Sequence, residues 1–510
     1  MRSKCSILQS KSTRVHITVK LCRDVIQIRR RKYAKKEDID FRDKEHTIRY
    51  ITETASILQH NTYTPIWIET RDSVEKEMRP METWKIWRET RRATGKSGEA
   101  WRGREMKKAR GVRKMSSDEN FQRRIEKIVS KIIENLGSDV DKARYELSKN
   151  TKYITSDLHY VCIKFTSKVK GQSGELSIIL KRCLPEKMIR QMMRVDSQFH
   201  NEILFYRMYA RPDENFARCL YVDEQSPDLV IALENVNKRG YHPCPYTYDG
   251  PLEYVLAAIR EMGRFHGKGY VMKEQQREKF FNIVKQLQEL RYDSTSDAFK
   301  FFVNLIAPRT IEYLRNQGHD AIFCDKMQVV FLNAFDVIMM KAVEPVEPLS
   351  TLCHGDFTLS NILFKIEDDG QPRAMLIDFA HLRYSTPVID LSTFLCLCCS
   401  NEIRKNKFFE IMQAYHDALK KYLLDAGIQD IEKYSYDALL DNYKTGGLFG
   451  FIIASFFLSF LIEDSIDEIR TQTNIDYAKI VKKKGGDKIS KILADMLLQM
   501  KDFGCLKHFL

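Results

Sequence analysis

Between residues 117 and 136 the apolar side chains recur at helical spacing. Phe121, Ile125, Ile128, Val129, Ile132, Ile133 and Leu136 form one stripe, which predicts an amphipathic helix. Ser116 with Glu119 three residues on is a capping-box pattern, and Gly137 closes the helix. The pattern then shortens. Leu147–Ile154, Leu158–Phe165, Leu176–Leu180 and Leu229–Leu233 are short apolar runs, the middle two joined through Gly171-Gln172-Ser173-Gly174, and they read as strands. One helix interrupts them around Phe199-His200-Asn201-Glu202-Ile203-Leu204-Phe205-Tyr206. Beyond Val236 helical spacing returns in Leu252–His266, Arg277–Leu290, Ala298–Arg315, Lys326–Val343 and Phe408–Leu424. A single hairpin breaks this series: Leu359–Ile366 and Ala374–Ile377, joined by the turn signal Glu367-Asp368-Asp369-Gly370-Gln371-Pro372. The pattern predicts an α+β chain of two lobes, a small β-rich one over 116–236 and a larger, mainly helical one over 237–510.

The stretch Gly446–Ile462 holds 17 residues without a charge. It sits at the lower edge of membrane-spanning length, carries Ser455 and Ser459 and ends at Glu463-Asp464, so a buried core helix is the expected reading and no membrane span is assigned. Cys396, Cys398 and Cys399 follow on another apolar run and read as small buried hydrophobes.

Composition alters the picture in one place. The net charge of +14 looks like that of a nucleic-acid binder, but residues 1–115 hold 30 Lys/Arg against 15 Asp/Glu, leaving 53 against 54 for the rest. Any affinity for polyanions belongs to the extension, through runs such as Arg29-Arg30-Arg31-Lys32 and Lys107-Lys108-Ala109-Arg110, and none is expected of the remainder. The extension lacks sustained periodicity, carries all four Trp residues and reads as a solvated or disordered tail. The abrupt change before Met115-Ser116-Ser117-Asp118-Glu119 raises a working start there, with residues 1–114 not part of the working protein. Met1–Lys20 has no continuous apolar run, and the twelve Cys residues show no metal-ligand spacing, so reduced thiols and a cytoplasmic location are expected. Residues 1–23 lack acids, which leaves a transit peptide as the alternative.

The chemistry concentrates in the hairpin. His354-Gly355-Asp356, then Asn361, then Ile377-Asp378-Phe379 space two carboxylates and an amide as phosphoryl transfer needs them: one carboxylate for the attacking hydroxyl, an amide oxygen and a second carboxylate for Mg²⁺. The step from Asp356 to Asn361 matches the H-R-D-x-x-x-x-N loop of protein kinases, and Asp378 stands where they carry D-F-G, with Gly355 in place of the Arg and Ala380 in place of the Gly. An Arg before the Asp holds phosphorylated activation loops, so its replacement points to small-molecule rather than protein substrates. Upstream, Lys181 ends a strand and Glu202 lies on the following helix, in the order of a phosphate-binding Lys and its helical partner.

With Lys181, Phe199-x-x-Glu202-x-x-x-Tyr206, Ile231-Ala232-Leu233-Glu234-Asn235-Val236, Gly240-Tyr241, Phe265-His266, His354-Gly355-Asp356, Asn361-Ile362-Leu363-Phe364, Ile377-Asp378-Phe379 and Pro387-x-x-Asp390-Leu391, the chain resembles the ecdysteroid kinase-like phosphotransferases, relatives of choline kinase and aminoglycoside phosphotransferases. The resemblance covers about residues 118–505 and implies a protein-kinase-like bilobal fold. It implies ATP and Mg²⁺ as cofactors, Lys181 on the nucleotide phosphates oriented by Glu202, backbone between Glu234 and Val236 on adenine, Asp356 as catalytic base, and Asn361 and Asp378 on the metal. It also implies a structural carboxylate at Asp390, bracing roles for His266 and His354, and a small-molecule alcohol, steroid-like, as acceptor. One departure stands out. The family carries a glycine turn over the phosphates, whereas Thr151-Lys152-Tyr153-Ile154-Thr155-Ser156-Asp157 has none, nor has anything from Ser138 to Lys170. Without glycine, backbone N–H groups cannot approach phosphate as closely, and Ser156 is the side chain placed to compensate. A pseudokinase or nucleotide-binding scaffold is therefore the rival to an active kinase, and choline, aminoglycosides or toxin alcohols are rival acceptors.

Overall fold

The structure, a computed structural model, describes residues 117–135, 140–153, 155–167, 173–184, 187–224, 229–293, 296–462 and 474–510. The basic extension with its tryptophans and Arg/Lys runs, Ser116, Gly137, Ile154, and Gly171 and Gln172 lie outside the described residues.

Five strands, β1 (Val140–Lys152), β2 (Ser156–Ser167), β3 (Ser173–Cys183), β4 (Cys219–Asp223) and β5 (Val230–Glu234), form an antiparallel sheet in the order β1-β2-β3-β5-β4. Alternation sorts its faces. Val161, Ile163, Ile178, Leu180, Val230 and Ala232 join Ile125, Ile128, Val129 and Ile132 of helix α1 (Ser117–Asn135) in one buried cluster. At about 1.5–3 kcal/mol for each fully buried aliphatic side chain, these four residues help to hold α1 on the sheet, together with Arg124 on Asp223 of β4. The opposite face carries Lys181, Cys183 and Ile231, and helix α2 (Val195–Leu204) packs there through Val195, Phe199 and Ile203. Strand β1 begins at Val140 rather than at Leu147. Register shifts against β2, between Asp141 and Arg144 and between Leu147 and Asn150, break the alternation that would have revealed it.

The larger lobe is helical, with boundaries that differ from the pattern for physical reasons. Helix α3 (Leu252–Gln275) runs well past His266, whereas α4 (Arg277–Gln286) stops short of Leu290. Ala298–Arg315 divides at Pro308 into α5 (Asp297–Ile306) and α6 (Arg309–Asn316), because proline lacks the N–H that would continue the ladder. Lys326–Val343 divides as well. Helix α7 (Ala321–Leu332), capped by Asp320 at 2.7 Å from the Phe323 N–H, ends before a π-helical turn at Phe335–Met339, whose first N–H donates to Asn304 at 3.0 Å. The helices that follow include α8 (Val388–Cys398), α9 (Asn401–Asp425), α10 (Tyr436–Gly446), α11 (Leu448–Ile462), α12 (Asn474–Lys483) and α13 (Gly486–Phe503).

Helix α11 is the uncharged stretch seen in the sequence, and it crosses α8 closely. A Cβ at Gly450 would lie 2.1 Å from the Ser392 carbonyl, and one at Gly446 would lie 2.7 Å from Val388. Phe451, Ile452, Ala454 and Leu458 are buried, as are Cys396, Cys398 and Cys399 of the facing segment. Among the described residues no single helix is long and apolar enough to cross a membrane. Two small sheets complete the lobe. One joins β6 (His242–Pro243), β8 (Ile362–Ile366) and β9 (Pro372–Leu376), and the other joins β7 (Thr351–Cys353) and β10 (Arg383–Ser385). A twisted antiparallel sheet carrying one inner helix, set against a mainly helical lobe with a β-hairpin at the junction, is a bilobal, protein-kinase-like α+β fold.

Candidate active site

Strands β8 and β9 pair from Ile362↔Leu376 to Ile366↔Pro372, and the Ile377 N–H donates to the Asn361 carbonyl at 3.0 Å just outside the ladder. Asn361 and Asp378 therefore emerge from the same end of one hairpin. Asn361 Nδ2 donates to both the carbonyl and Oδ2 of Asp356, each at 2.9 Å. That fixes the amide so that its oxygen faces away from Asp356. Asp378 sits at φ 63°, ψ 69°, a left-handed conformation costly for a residue with a Cβ, and Phe379 anchors it. The Phe379 ring is buried and stacks on Phe205 with centroids 3.5 Å apart.

From the other lobe, Lys181 of β3 donates to Glu202 Oε2 of α2 at 2.6 Å and to Asp378 Oδ1 at 2.8 Å. One ammonium thus joins the sheet, the inner helix and the hairpin. Burial works against its charge, but Asp378 and Glu202 outweigh that and hold Lys181 above the usual lysine range. Burial also opposes ionisation of Asp378, yet the charge of Lys181 and its hydrogen bond hold it below the usual carboxylate range. Asp356 moves the other way. Burial pushes it up, Arg291 opposes that, and the nearby charge of Asp378 adds to it. The two carboxylates are therefore pushed apart, the condition under which one stays a bound anion while the other handles protons.

Beneath the loop lies Asp390, 1% exposed. Its Oδ2 accepts the His354 N–H at 2.7 Å, its Oδ1 accepts the Gly355 N–H at 2.8 Å, and His266 Nε2 lies 3.1 Å from Oδ2. Tyr415 Oη holds the other nitrogen of that ring at 2.8 Å. His354 has a defined tautomer: Nε2 faces the Ile377 carbonyl at 2.9 Å and so bears the proton, which leaves Nδ1 to accept the Asp356 N–H at 3.3 Å. Gly355 has φ 80°, and a Cβ there would lie 1.9 Å from the His381 carbonyl. Neither Arg nor any other side chain fits between His354 and Asp356.

The remaining residues named from the sequence fall around this cleft. Ser156 is buried, pairs with Cys183 across the sheet and shares the Lys181 face, while its carbonyl accepts the Tyr153 N–H at 2.8 Å and closes a tight β1–β2 turn. Glu234 ends β5 with its N–H on the Arg218 carbonyl at 2.8 Å and its carboxylate on Arg218 and Arg239. Val236 is buried at the start of a turn capped by Asn235. Sequence reasoning missed the 287–293 segment. Asn201 brackets Gln288, donating to its carbonyl and accepting its N–H, both at 2.9 Å. The Glu289 carboxylate accepts the N–H groups of Leu290, Arg291 and Tyr292 and an Arg383 bond at 2.7 Å. These bonds replace helical ones, which is why α4 stops early, and no motif announces them.

A strand-borne Lys held by a helical Glu, facing an Asp–Asn–Asp set on a loop and hairpin, is the arrangement of a kinase-like phosphotransferase. The chain belongs to the ecdysteroid kinase-like family, which matches residues 150–428. No curated protein matches it by sequence. Solved structures similar to it are GDP complexes of aminoglycoside 2'-phosphotransferase-IIIa. The wild-type complex is 12% identical and covers 70% of this chain and 97% of that one at TM-score 0.36. A mutant of the same enzyme is 11% identical, with 70% and 96% covered at 0.33. The GDP and kanamycin complex of APH(2")-IIia is 12% identical, with 71% and 99% covered at 0.34.

Proposed function

We propose that the protein transfers the γ-phosphate of ATP to a hydroxyl group of a small molecule, with a steroid-like alcohol as the leading acceptor. The observation that carries this is the convergence of Lys181, Glu202 and Asp378 on one ion-paired node beside the Asp356–Asn361 hydrogen bond. In this reading Lys181 holds the nucleotide phosphates and Glu202 orients it. The backbone between Glu234 and Val236 receives adenine, and Ser156 lies under the phosphate turn. The donor set suits Mg²⁺, since Asn361 and Asp378 offer hard oxygen ligands, and the ion when bound neutralises phosphate charge. Asp356 accepts the proton of the acceptor hydroxyl; the new O–P bond forms as the bond between the γ-phosphorus and its bridging oxygen breaks, and ADP leaves. We also read 116–236 and 237–510 as the two lobes, 1–115 as an extension outside them, and the cytoplasm as the compartment.

The test is Mg²⁺-dependent transfer from labelled ATP onto hydroxysteroids, choline and aminoglycosides, with Asp356→Asn as control. Product from the wild type alone supports the reading and identifies the acceptor class. The glycine-free turn at Tyr153–Ser156 is the one observation favouring a nucleotide-binding scaffold, and tight ATP binding without turnover on any acceptor supports that instead. Absence of ATP binding refutes both. Asp356→Asn is expected to lower turnover with little change in ATP affinity, whereas Asp378→Asn weakens Mg²⁺-dependent ATP binding as well; equal, mild effects overturn the roles.

A further inference from the structure

Segment 287–293 is neither helix nor strand, yet it is fastened from three sides. Asn201 of α2 brackets Gln288, and the Glu289 carboxylate closes the backbone of Leu290–Tyr292. Arg194 reaches the Glu289 carbonyl at 3.0 Å and grips Asp293 at 2.5 and 3.1 Å. From the strand after the hairpin, Arg383 binds Glu289 at 2.7 Å and lies over the Tyr292 ring at 4.6 Å. The side chain so mounted is Arg291. It is half-buried and opens on a small cavity that it shares with Tyr292, Gly355, His381, Leu382 and Arg383, against the catalytic loop.

Arg291 has poor partners for so firm a mount. One guanidinium nitrogen lies 3.4 Å from His381 Nε2, and the Phe299 ring centroid is 5.8 Å away. Among the described residues no carboxylate lies within 4.0 Å of it. His381, which burial and then the charge of Arg291 keep neutral, offers it a ring lone pair rather than a charge. A planar guanidinium with several N–H groups uncommitted, carried on a firmly braced backbone near a catalytic carboxylate, is suited to an oxyanion that arrives during reaction.

We infer that Arg291 is a further catalytic residue, whose guanidinium binds the oxygens of the phosphoryl group as it passes from the nucleotide to the acceptor. The inference rests on the phosphotransfer reading above and adds to Lys181 a second cation, on the catalytic-loop side. Arg291 then stabilises charge that is present only in transit, so its contribution falls on turnover and not on nucleotide affinity. A purely structural role, offsetting the negative charges of Asp356 and Asp378, predicts altered stability and no such division.

The experiment uses the full chain with Mg²⁺, ADP and aluminium fluoride, which mimics the transferring phosphoryl group. In the wild type, fluoride tightens ADP binding. Arg291→Ala is expected to bind ADP alone within about twofold of wild type and to lose the fluoride-dependent tightening. Its turnover falls by about a hundredfold or more at little-changed KM for ATP, the effect of removing one preorganised oxyanion donor. Added guanidinium restores part of that turnover, and Arg291→Lys lies between. Fluoride tightening that survives in Arg291→Ala overturns the proposal, as does a parallel loss of ADP and fluoride binding that guanidinium does not rescue. A wild type that binds no nucleotide overturns the phosphotransfer reading first, and this proposal with it.

Discussion

Asp390→Asn tests what holds the catalytic loop in place. The carboxylate accepts the N–H groups of two successive residues, His354 at 2.7 Å and Gly355 at 2.8 Å, and faces His266 Nε2 at 3.1 Å. Asparagine has the same shape but only one acceptor oxygen. With that oxygen toward His354 and His266, its NH₂ confronts the Gly355 N–H; with the amide flipped, it confronts the His354 N–H. Either way one buried backbone donor is orphaned, at about 1–3 kcal/mol, and the surviving bonds lose their charge assistance, so about 2–3 kcal/mol in total is expected. For a unit of this size the melting temperature falls by a few degrees. The loop's amides are the sharper readout, because exchange at His354 and Gly355 should accelerate while the α3 and α9 amides stay protected. Turnover should drop roughly tenfold to a hundredfold, since Asp356 follows directly on the loosened pair. Asp390→Ala, which strands all three donors, should be worse on each measure. An Asp390→Asn protein that melts within about 1 °C of wild type with both amides still protected would refute the reasoning.

Three further outcomes are expected. Lys181→Met leaves the buried Glu202 and the partly exposed Asp378 without their shared cation and should cost about 3 kcal/mol, while adding Glu202→Gln should recover part of it; additive losses in denaturant titrations would show that the node is not coupled. His381 is held well below the ordinary histidine range by burial and by Arg291, so its contribution to stability is full above about pH 6.5 and falls as pH drops from there toward the lowered folded-state value, by at most about 1.4 kcal/mol per unit. His381→Asn should flatten that part of the stability–pH curve, and an unchanged slope would remove His381 as its source. Gly450→Ala places a Cβ where only 2.1 Å separates it from the Ser392 carbonyl, so α8 and α11 must part; a loss of about 1–3 kcal/mol is expected, and a neutral result would mean that the two helices do not meet there.

What the sequence revealed and what it hid follow from the range of the interactions. The hairpin that brings Asn361 and Asp378 together is local, specified by two apolar runs and one turn, and the structure pairs it as read. The uncharged run at Gly446–Ile462 likewise announces a core helix by its own composition, and its glycines explain how it packs so tightly on α8. The misplaced boundaries have other causes. The start of β1 is obscured by two register shifts, and Pro308 divides what apolar spacing alone would join. Most hidden was the 287–293 segment, because what shapes it comes from far along the chain: Asn201 on α2, Arg194 just before it, and Arg383 after the hairpin. Apolar spacing carries past Gln286 without a break, and no residue there belongs to a motif. Only when α2 and the hairpin are folded against each other does Arg291 acquire its position beside Gly355 and His381. Residues that meet the hairpin through its own strands were legible, then, while those delivered to the same cleft by side chains from both lobes became visible only in three dimensions. The charge of Arg291, which could as well have been solvated on a surface helix, takes on chemical meaning from bonds made by its neighbours rather than from its own place in the chain.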